Sequence, residues 1–112
     1  MHREHMQTAI SAAMSLEDCV AVFTGSAEES RALVREFEQA APGERISRIS
    51  RVTGRCFIEF HGGGWIRFIA TAQSARGMSL DRAYVPIGTA PDRLADLLPC
   101  LQTSTAGVLT GY

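Results

Sequence analysis

The apolar run at residues 19–24 restricts the fold of this chain more than any other feature of its sequence. The run is as long as one strand and does not alternate polar with apolar residues, so both faces of the strand must be covered. Apolar residues at helical spacing flank it on both sides, at residues 3–15 and 26–41. Strands covered on both faces and separated by helices are typical of parallel sheets, so the sequence predicts an α/β protein.

Turn and periodicity signals indicate the remaining elements. Two runs rich in β-branched and aromatic residues are separated by consecutive glycines, which predicts a β-hairpin. The predicted segments are the hairpin at residues 57–60 and 65–69, an extended triplet pattern at 45–53, strands at 82–88 and 106–111, and a helix beginning near Pro91. We therefore expect one domain over residues 1–112, with a small layered sheet of about three parallel strands, flanking helices and an inserted hairpin.

Composition narrows the classes of function. All 11 basic side chains are arginines, because the chain contains no lysine. Without lysine there is no Schiff-base chemistry and no ammonium group to hold a nucleotide phosphate. The net charge of −1 gives no overall attraction to nucleic acid or to an anionic membrane. No apolar run approaches the roughly 20 residues of a membrane-spanning helix, so we expect no membrane association and a cytoplasmic protein.

The spacing of cysteines and histidines favours structural roles. The three cysteines lie far apart in apolar contexts, which indicates buried thiols. His2 and His5 share a helix face but have no third ligand at a spacing that suits a metal. Cys56 and His61 bracket a strand and point to opposite faces, so they do not form a nucleophile and its base. We expect no catalytic residue, no metal and no cofactor.

A more specific pattern covers the hairpin and the segment after it. Residues 64–70, followed by the small-residue segment with Arg76-Gly77 and the apolar strand that begins at Arg82, resemble phage terminase large subunits and related helicase-type ATPases of the RecA-like class. The resemblance extends over residues 5–112 and is most specific at 62–88. It implies a truncated P-loop NTPase-like core in a phage-encoded protein, which acts in the cytoplasm of an infected bacterial host.

The departures from that family concern its catalytic apparatus. A phosphate-binding loop needs Gly-x-x-x-x-Gly-Lys-Ser/Thr, and this chain begins where that motif would end, without the P-loop strand. The family's Asp-Glu pair falls on Pro86, Ile87 and Gly88, which cannot hold magnesium or orient water. We therefore expect no ATP hydrolysis. The resemblance implies a protein that acts by protein–protein interaction, in a regulatory or host-directed role.

The resemblance also implies where such an interaction occurs. The family's strand order is 5-1-4-3-2, so without strands 1 and 5 the last strand of this chain has an open edge, and an open edge is a template for strand pairing. We expect a homodimer or a docked partner strand there, through Ala106, Val108, Leu109, Thr110 and Tyr112. The alternative is that the N-terminal helix or residues 103–105 cover this edge.

Arginines concentrated around the hairpin support a second function, nucleic-acid binding. Two acidic residues, Glu44 and Glu59, oppose them, and aromatic residues lie among them. Such a patch could track a phosphate backbone; the competing interpretation is an ordinary solvated sheet face in a chain that uses arginine in place of lysine. The candidate contacts with DNA or RNA are Arg45, Arg48, Arg51, Arg55, Arg67 and, in the Arg-Gly segment, Arg76.

Overall fold

The computed structural model describes residues 1–70, 78–101 and 107–112. Its elements follow the predicted order closely, with the triplet pattern forming a strand of its own. The helices and strands are α1 (Arg3–Ser15), β1 (Cys19–Phe23), α2 (Ala27–Ala40), β2 (Ile46–Val52), β3 (Arg55–Phe60), β4 (Trp65–Ile69), β5 (Arg82–Val85), α3 (Pro91–Leu101) and β6 (Val108–Gly111).

The α2 N-terminus shows why the sequence folds locally as it does. The Ser26 hydroxyl accepts a hydrogen bond from the Glu29 backbone N–H, which satisfies one of the free donors of the first turn. The Glu29 carboxylate reaches back to the Gly25 N–H at 2.8 Å. Glu28 and Glu29 also place negative charge at the positive end of the helix dipole. The buried side chains Leu33, Val34 and Phe37 then direct one face of α2 onto the sheet.

All six strands belong to one mixed sheet, in the order β2-β3-β4-β1-β5-β6. The pairs β4–β1, β1–β5 and β5–β6 are parallel, and β2–β3 and β3–β4 are antiparallel. The α/β class is therefore confirmed, but the expected sheet of about three parallel strands with an inserted hairpin is too small. The hairpin is an integral part of the sheet, because β4 pairs in parallel with β1 over five residues, from Cys19↔Trp65 to Phe23↔Ile69.

Two apolar clusters lie on opposite sides of this sheet. The larger cluster fills the space between the sheet and helices α1 and α2, and we call this side the closed face; its strand residues are Val20, Val22, Cys56, Ile58, Phe60, Ile66, Phe68 and Tyr84. The smaller cluster lies under α3 and covers β1 and β5 from the other side, through Ala21, Phe23, Ala83, Val85, Leu97, Cys100 and Leu101. Ile69 of β4 also belongs to this smaller cluster and Trp65 packs against it; within the described ranges the cluster includes no residue of β2 or β3.

The hairpin turn uses its three glycines for two different purposes. Gly62 and Gly63 have positive φ angles of 110° and 105°, which L-residues with side chains rarely adopt. Gly64 is required for another reason: a Cβ there would lie 1.9 Å from the Ala13 carbonyl oxygen. The turn therefore packs directly against the C-terminal end of α1, which fixes the hairpin relative to the closed-face core.

Candidate nucleic-acid interface

The side of β2, β3 and β4 that faces away from α1 and α2 carries an arrangement of arginine and aromatic side chains. Cross-strand register sets this arrangement, because directly paired residues project to the same side of a sheet. Arg48 pairs with Glu59 and Glu59 with Trp65; Ser50 pairs with Phe57 and Phe57 with Arg67; Val52 pairs with Arg55. We call this surface the open face and define it by Arg48, Ser50, Val52, Arg55, Phe57, Glu59, Trp65 and Arg67.

Each aromatic ring on the open face is accompanied by an arginine. The Arg67 guanidinium carbon lies 4.5 Å from the centroid of the Trp65 ring, and that of Arg48 lies 5.2 Å from the centroid of Phe57. Such cation–π contacts at exposed sites contribute only about 0.5–1 kcal/mol each. The arginines are therefore held near the rings and can be displaced by a ligand that stacks more strongly.

The open face has a local positive charge although the chain as a whole is slightly negative. Three arginines, Arg48, Arg55 and Arg67, are exposed and face one acid, Glu59, which leaves two net positive charges. Glu59 lies 3.6 Å from Arg48, with 37% of its side chain exposed. A groove of about 340 Å³ is lined in part by Arg48, Arg55, Phe57, Glu59 and Arg67. Aromatic rings and cations on one surface suit a single nucleic-acid strand, and the groove continues beyond this surface to Ala27 and Ser30 of α2.

Two of the predicted contact residues lie away from this surface. Arg51 projects to the closed-face side, where its guanidinium forms an ion pair and hydrogen bonds with Glu38 of α2. Arg45 lies just before β2 and donates from Nη2 to the Met14 carbonyl at 3.4 Å. The predicted patch of five arginines is therefore wrong as one surface: it divides into three on the open face and two engaged with the helices. Arg76 lies outside the described residues.

The predicted interaction strand is found at one edge of the sheet. The Val108 N–H donates to Asp81 and the Tyr112 N–H donates to Val85, so alternate residues of β6 point their amides toward β5. The N–H groups of Leu109 and Gly111 consequently point outward, and both residues are exposed. The edge character of β6 is an observation; Ala106, the first residue of the predicted edge, lies outside the described residues.

A second cavity of about 430 Å³ lies at the carboxyl ends of β1 and β5, lined in part by Thr24, Gly25, Thr89 and Arg93. Ligands of open parallel sheets commonly bind at such ends. Two of the donors there are already satisfied: the Gly25 N–H by Glu29, and the Thr24 hydroxyl by the Ser26 carbonyl and the Ser30 hydroxyl. The N-terminus of α2 is thus neutralised by the chain's own carboxylate.

Cys56 and Cys100 are buried as expected, whereas Cys19 is only half-buried. Burial, followed by the charges of Asp81 and Asp18, raises the pKa of the Cys19 thiol. Burial also raises the pKa of Cys56, so neither thiol is activated as a nucleophile. His2 caps α1 by accepting from the Glu4 N–H. In the part of the chain that the structure describes, no three His, Cys, Asp or Glu side chains are grouped as metal ligands.

Sequence reasoning expected aromatic residues and Glu59 near the arginines but did not identify which of them share a face: Phe57, Glu59 and Trp65 do, whereas Phe60 is buried on the closed face. Strand periodicity contained this signal. Residues 55, 57 and 59 are separated by two positions and therefore lie on one face of their strand, whereas 48 and 51 are separated by three and lie on opposite faces of theirs. The fold and this surface define a class: a small α/β protein with a six-stranded mixed sheet that presents arginine and aromatic side chains on one side.

The chain matches no family model, no curated protein and no solved structure. None of the helices within the described ranges is long and apolar enough to cross a bilayer.

Proposed function

We propose that this protein acts by binding, and that its principal ligand is single-stranded nucleic acid held on the open face. The observation that carries this proposal is that Arg67 lies over the ring of Trp65 and Arg48 over the ring of Phe57, on a side of the sheet where the described cluster under α3 includes no residue of β2 or β3. A covered surface would be expected to carry aliphatic side chains, as the closed face does. Two partly exposed aromatic rings beside three arginines support the proposal, because stacking platforms next to cations suit a single strand.

Magnitudes decide how the ligand binds. Stacking of a base on an aromatic side chain is worth about 1–3 kcal/mol, which exceeds the roughly 0.5–1 kcal/mol of an exposed cation–π contact. A base therefore takes the place of the guanidinium over Trp65 or Phe57. The released Arg67 and Arg48 then pair with the flanking phosphates, so that two bases and their backbone are bound together.

Binding is tested with a fluorescein-labelled oligothymidylate of about eight nucleotides, a length within the usual range for single-strand-binding domains. Trp65 is the only tryptophan, so quenching of its fluorescence reports stacking directly. Phosphate contacts from Arg48, Arg67 and the third exposed arginine of the open face, Arg55, predict a slope of about −2 for log affinity against log salt concentration. Duplex DNA of the same length should bind more weakly, because its bases are not available for stacking.

A matched pair of arginine variants localises the interaction. Arg67→Gln should weaken binding and reduce the salt slope by about 0.7, the contribution of one phosphate contact on a single strand. Arg35→Gln removes the same charge from the exposed surface of α2 and should leave both unchanged. If mixing wild-type protein with the oligonucleotide at low ionic strength changes neither the fluorescein anisotropy nor the tryptophan emission, the proposal fails.

The edge strand β6 supports a second candidate function, association with a further copy of the chain or with a partner's strand. Leu109 and Gly111 offer outward N–H and C=O groups, and Ile87 beside them is 82% exposed. Backbone groups of this kind accept an added strand. Adjacent parallel strands β1, β5 and β6 are also consistent with a remnant of a P-loop ATPase core that has lost its catalytic residues.

The two parts of this second candidate have separate tests. Leu109→Pro removes the outward amide but keeps the hydrogen bonds of Val108 and Tyr112 to β5. Sedimentation should therefore show a monomer for Leu109→Pro. Wild type and the control Leu109→Thr should both sediment as dimers. A monomeric wild-type mass at every concentration would exclude self-association. Thermal melting should show no stabilisation by magnesium-ATP; a rise in melting temperature would contradict the loss of nucleotide binding.

A further inference from the structure

Glu59 is the one acidic residue of the open face, and the function proposed above does not use it. A carboxylate near the phosphate backbone weakens non-specific binding, so a surface that served only to hold phosphates would gain from its absence. Glu59 is instead placed beside a ring. It is the direct cross-strand neighbour of Trp65, so their Cβ atoms are separated by about 4.5–5.5 Å, a distance typical of such pairs.

On its other side Glu59 is the direct cross-strand neighbour of Arg48, and the two side chains form an ion pair at 3.6 Å. In the free protein this contact holds the carboxylate between β2 and β4, and it leaves both carboxylate oxygens available when Arg48 moves to a phosphate. More than a third of the Glu59 side chain remains exposed, at 37%. A base stacked over Trp65 is therefore expected to bring its hydrogen-bonding edge close to a carboxylate acceptor.

We infer that Glu59 makes the open face select guanine over thymine or uracil at the Trp65 position, an inference that rests on the proposed nucleic-acid function. An ionised carboxylate only accepts hydrogen bonds, and it has two oxygens for the purpose. Guanine presents two neighbouring donors, N1–H and the N2 amino group, which match those oxygens as a bidentate pair. Thymine and uracil present one N–H between two carbonyl oxygens, which the carboxylate repels.

The affinities for cytosine and adenine at the Trp65 position should lie between the affinity for guanine and that for thymine or uracil. Cytosine and adenine each present one amino group next to a ring nitrogen that accepts, so one carboxylate oxygen is satisfied and the other is opposed. Hypoxanthine, the base of inosine, keeps N1–H and lacks the N2 amino group. It therefore removes a single donor from guanine and changes nothing else at that edge.

The experiment compares oligothymidylates of one length that carry a single central thymidine, deoxyguanosine or deoxyinosine. For wild-type protein we expect the deoxyguanosine oligonucleotide to bind about tenfold more tightly than the thymidine one, within the range for a good bidentate contact. The deoxyinosine oligonucleotide should be intermediate. Anisotropy gives the affinities, and Trp65 quenching confirms that stacking accompanies each of them.

Glu59→Gln tests the residue itself. A glutamine keeps the shape but offers one acceptor and one donor, so the preference for deoxyguanosine should fall to about twofold or less, while the affinity for oligothymidylate rises because a negative charge is lost. Glu36→Gln removes the same charge from the exposed surface of α2 and should keep the wild-type ratio. Thermal melting establishes that both variants are folded.

The outcomes separate this inference from the function on which it rests. If oligothymidylate binds with Trp65 quenching but wild type shows no preference for deoxyguanosine, or if the preference survives in Glu59→Gln, the role of Glu59 is wrong and the binding function stands. If no oligonucleotide binds at all, both are wrong. A tenfold preference that the glutamine variant abolishes and the Glu36→Gln control retains supports both.

Discussion

The two faces of the β3–β4 hairpin are formed by alternate residues of the same two strands, yet one face is apolar and buried and the other is more polar and more exposed. On the closed face Ile58 and Ile66 pair across the strands, and both are completely buried. On the open face the neighbouring pair, Phe57 with Arg67, is partly or fully exposed. The comparison shows that one strand pair can hold the fold together with one side and present a binding surface with the other. Variants on the two faces should therefore affect different measurements.

The largest effect should come from the centre of the closed face. Ile58→Ala removes a fully buried side chain and leaves a cavity, so the free energy of unfolding should fall by about 4 kcal/mol. Urea denaturation followed by circular dichroism measures this change. A loss below about 1 kcal/mol would mean that Ile58 is not at the centre of the core.

The contact between the hairpin turn and α1 gives the next effect. In Gly64→Ala the new Cβ would overlap the Ala13 carbonyl oxygen, so the turn or the helix must shift, and we expect a loss of about 3 kcal/mol in unfolding free energy. Gly43→Ala is the matched control, since a Cβ there meets nothing within 4 Å. Equal melting temperatures for the two variants would contradict this packing.

Phe57 is the residue next to Ile58, and it tests the other half of the comparison. Phe57→Ala should weaken the binding of single-stranded oligonucleotides about tenfold, through the loss of one stacking surface, and should lower stability far less than Ile58→Ala does. Affinity and urea stability are measured on the same preparation. If Phe57→Ala costs as much stability as Ile58→Ala, the open face is a structural surface and the comparison breaks down.

Tyr112 connects the end of β6 to the closed-face core. Its ring packs beside that core, and its hydroxyl donates a hydrogen bond to the Phe23 carbonyl, so Tyr112→Phe should cost about 1 kcal/mol. Burial, followed by the charge of Glu29, raises the pKa of Tyr112 to about 12 from an ordinary value of 10.0.

The raised pKa of Tyr112 makes the stability of the protein depend on pH in alkaline solution. Because the folded protein favours the protonated phenol, the contribution of Tyr112 to the free energy of unfolding is complete below pH 10. It is lost as the pH rises toward 12. The difference in stability between wild type and Tyr112→Phe should narrow over that interval. A difference that stays constant would show that the phenol does not titrate with folding.

The smallest effects distinguish two arginines of one strand. Arg51→Gln should leave oligonucleotide affinity unchanged, whereas Arg48→Gln, on the open face, should weaken it. The hydrogen bond from Arg51 lowers the pKa of Glu38 below its ordinary 4.5. The resulting small stabilisation is present at neutral pH and is lost as the pH falls below 4.5, so wild type and Arg51→Gln should become equally stable in acid. Equal loss of affinity in the two variants would contradict the division of the arginines between the faces.

Much of the fold could be read from local sequence signals. The helix predicted at residues 3–15 coincides with α1, and the hairpin predicted at residues 57–69 corresponds to β3 and β4. These elements follow from periodicity, capping and turn glycines, which act over a few residues. How the hairpin joins the sheet could not be read, because the pairing of β4 with β1 connects residues 46 positions apart, such as Cys19 and Trp65.

The candidate site was predicted only in part for the same reason. Charge in the sequence indicated a patch, but membership of one face depends on strand register, and β2 carries an irregularity between Ile46 and Arg48. That irregularity sets which arginines project away from the helices. Arg51 also finds a partner, Glu38, on an element that sequence reasoning did not connect with it.

The sequence by itself determined the α/β class, the glycine turn and the absence of the lysine that a phosphate-binding loop requires, since each depends on residue type and local spacing. The tertiary structure alone decided that Gly64 must lack a side chain, that β6 lies at an edge, and that Arg48, Glu59 and Trp65 stand in one row. These properties depend on which distant strands become neighbours. That choice is made by burial of the closed face as a whole, which no short segment of the chain contains.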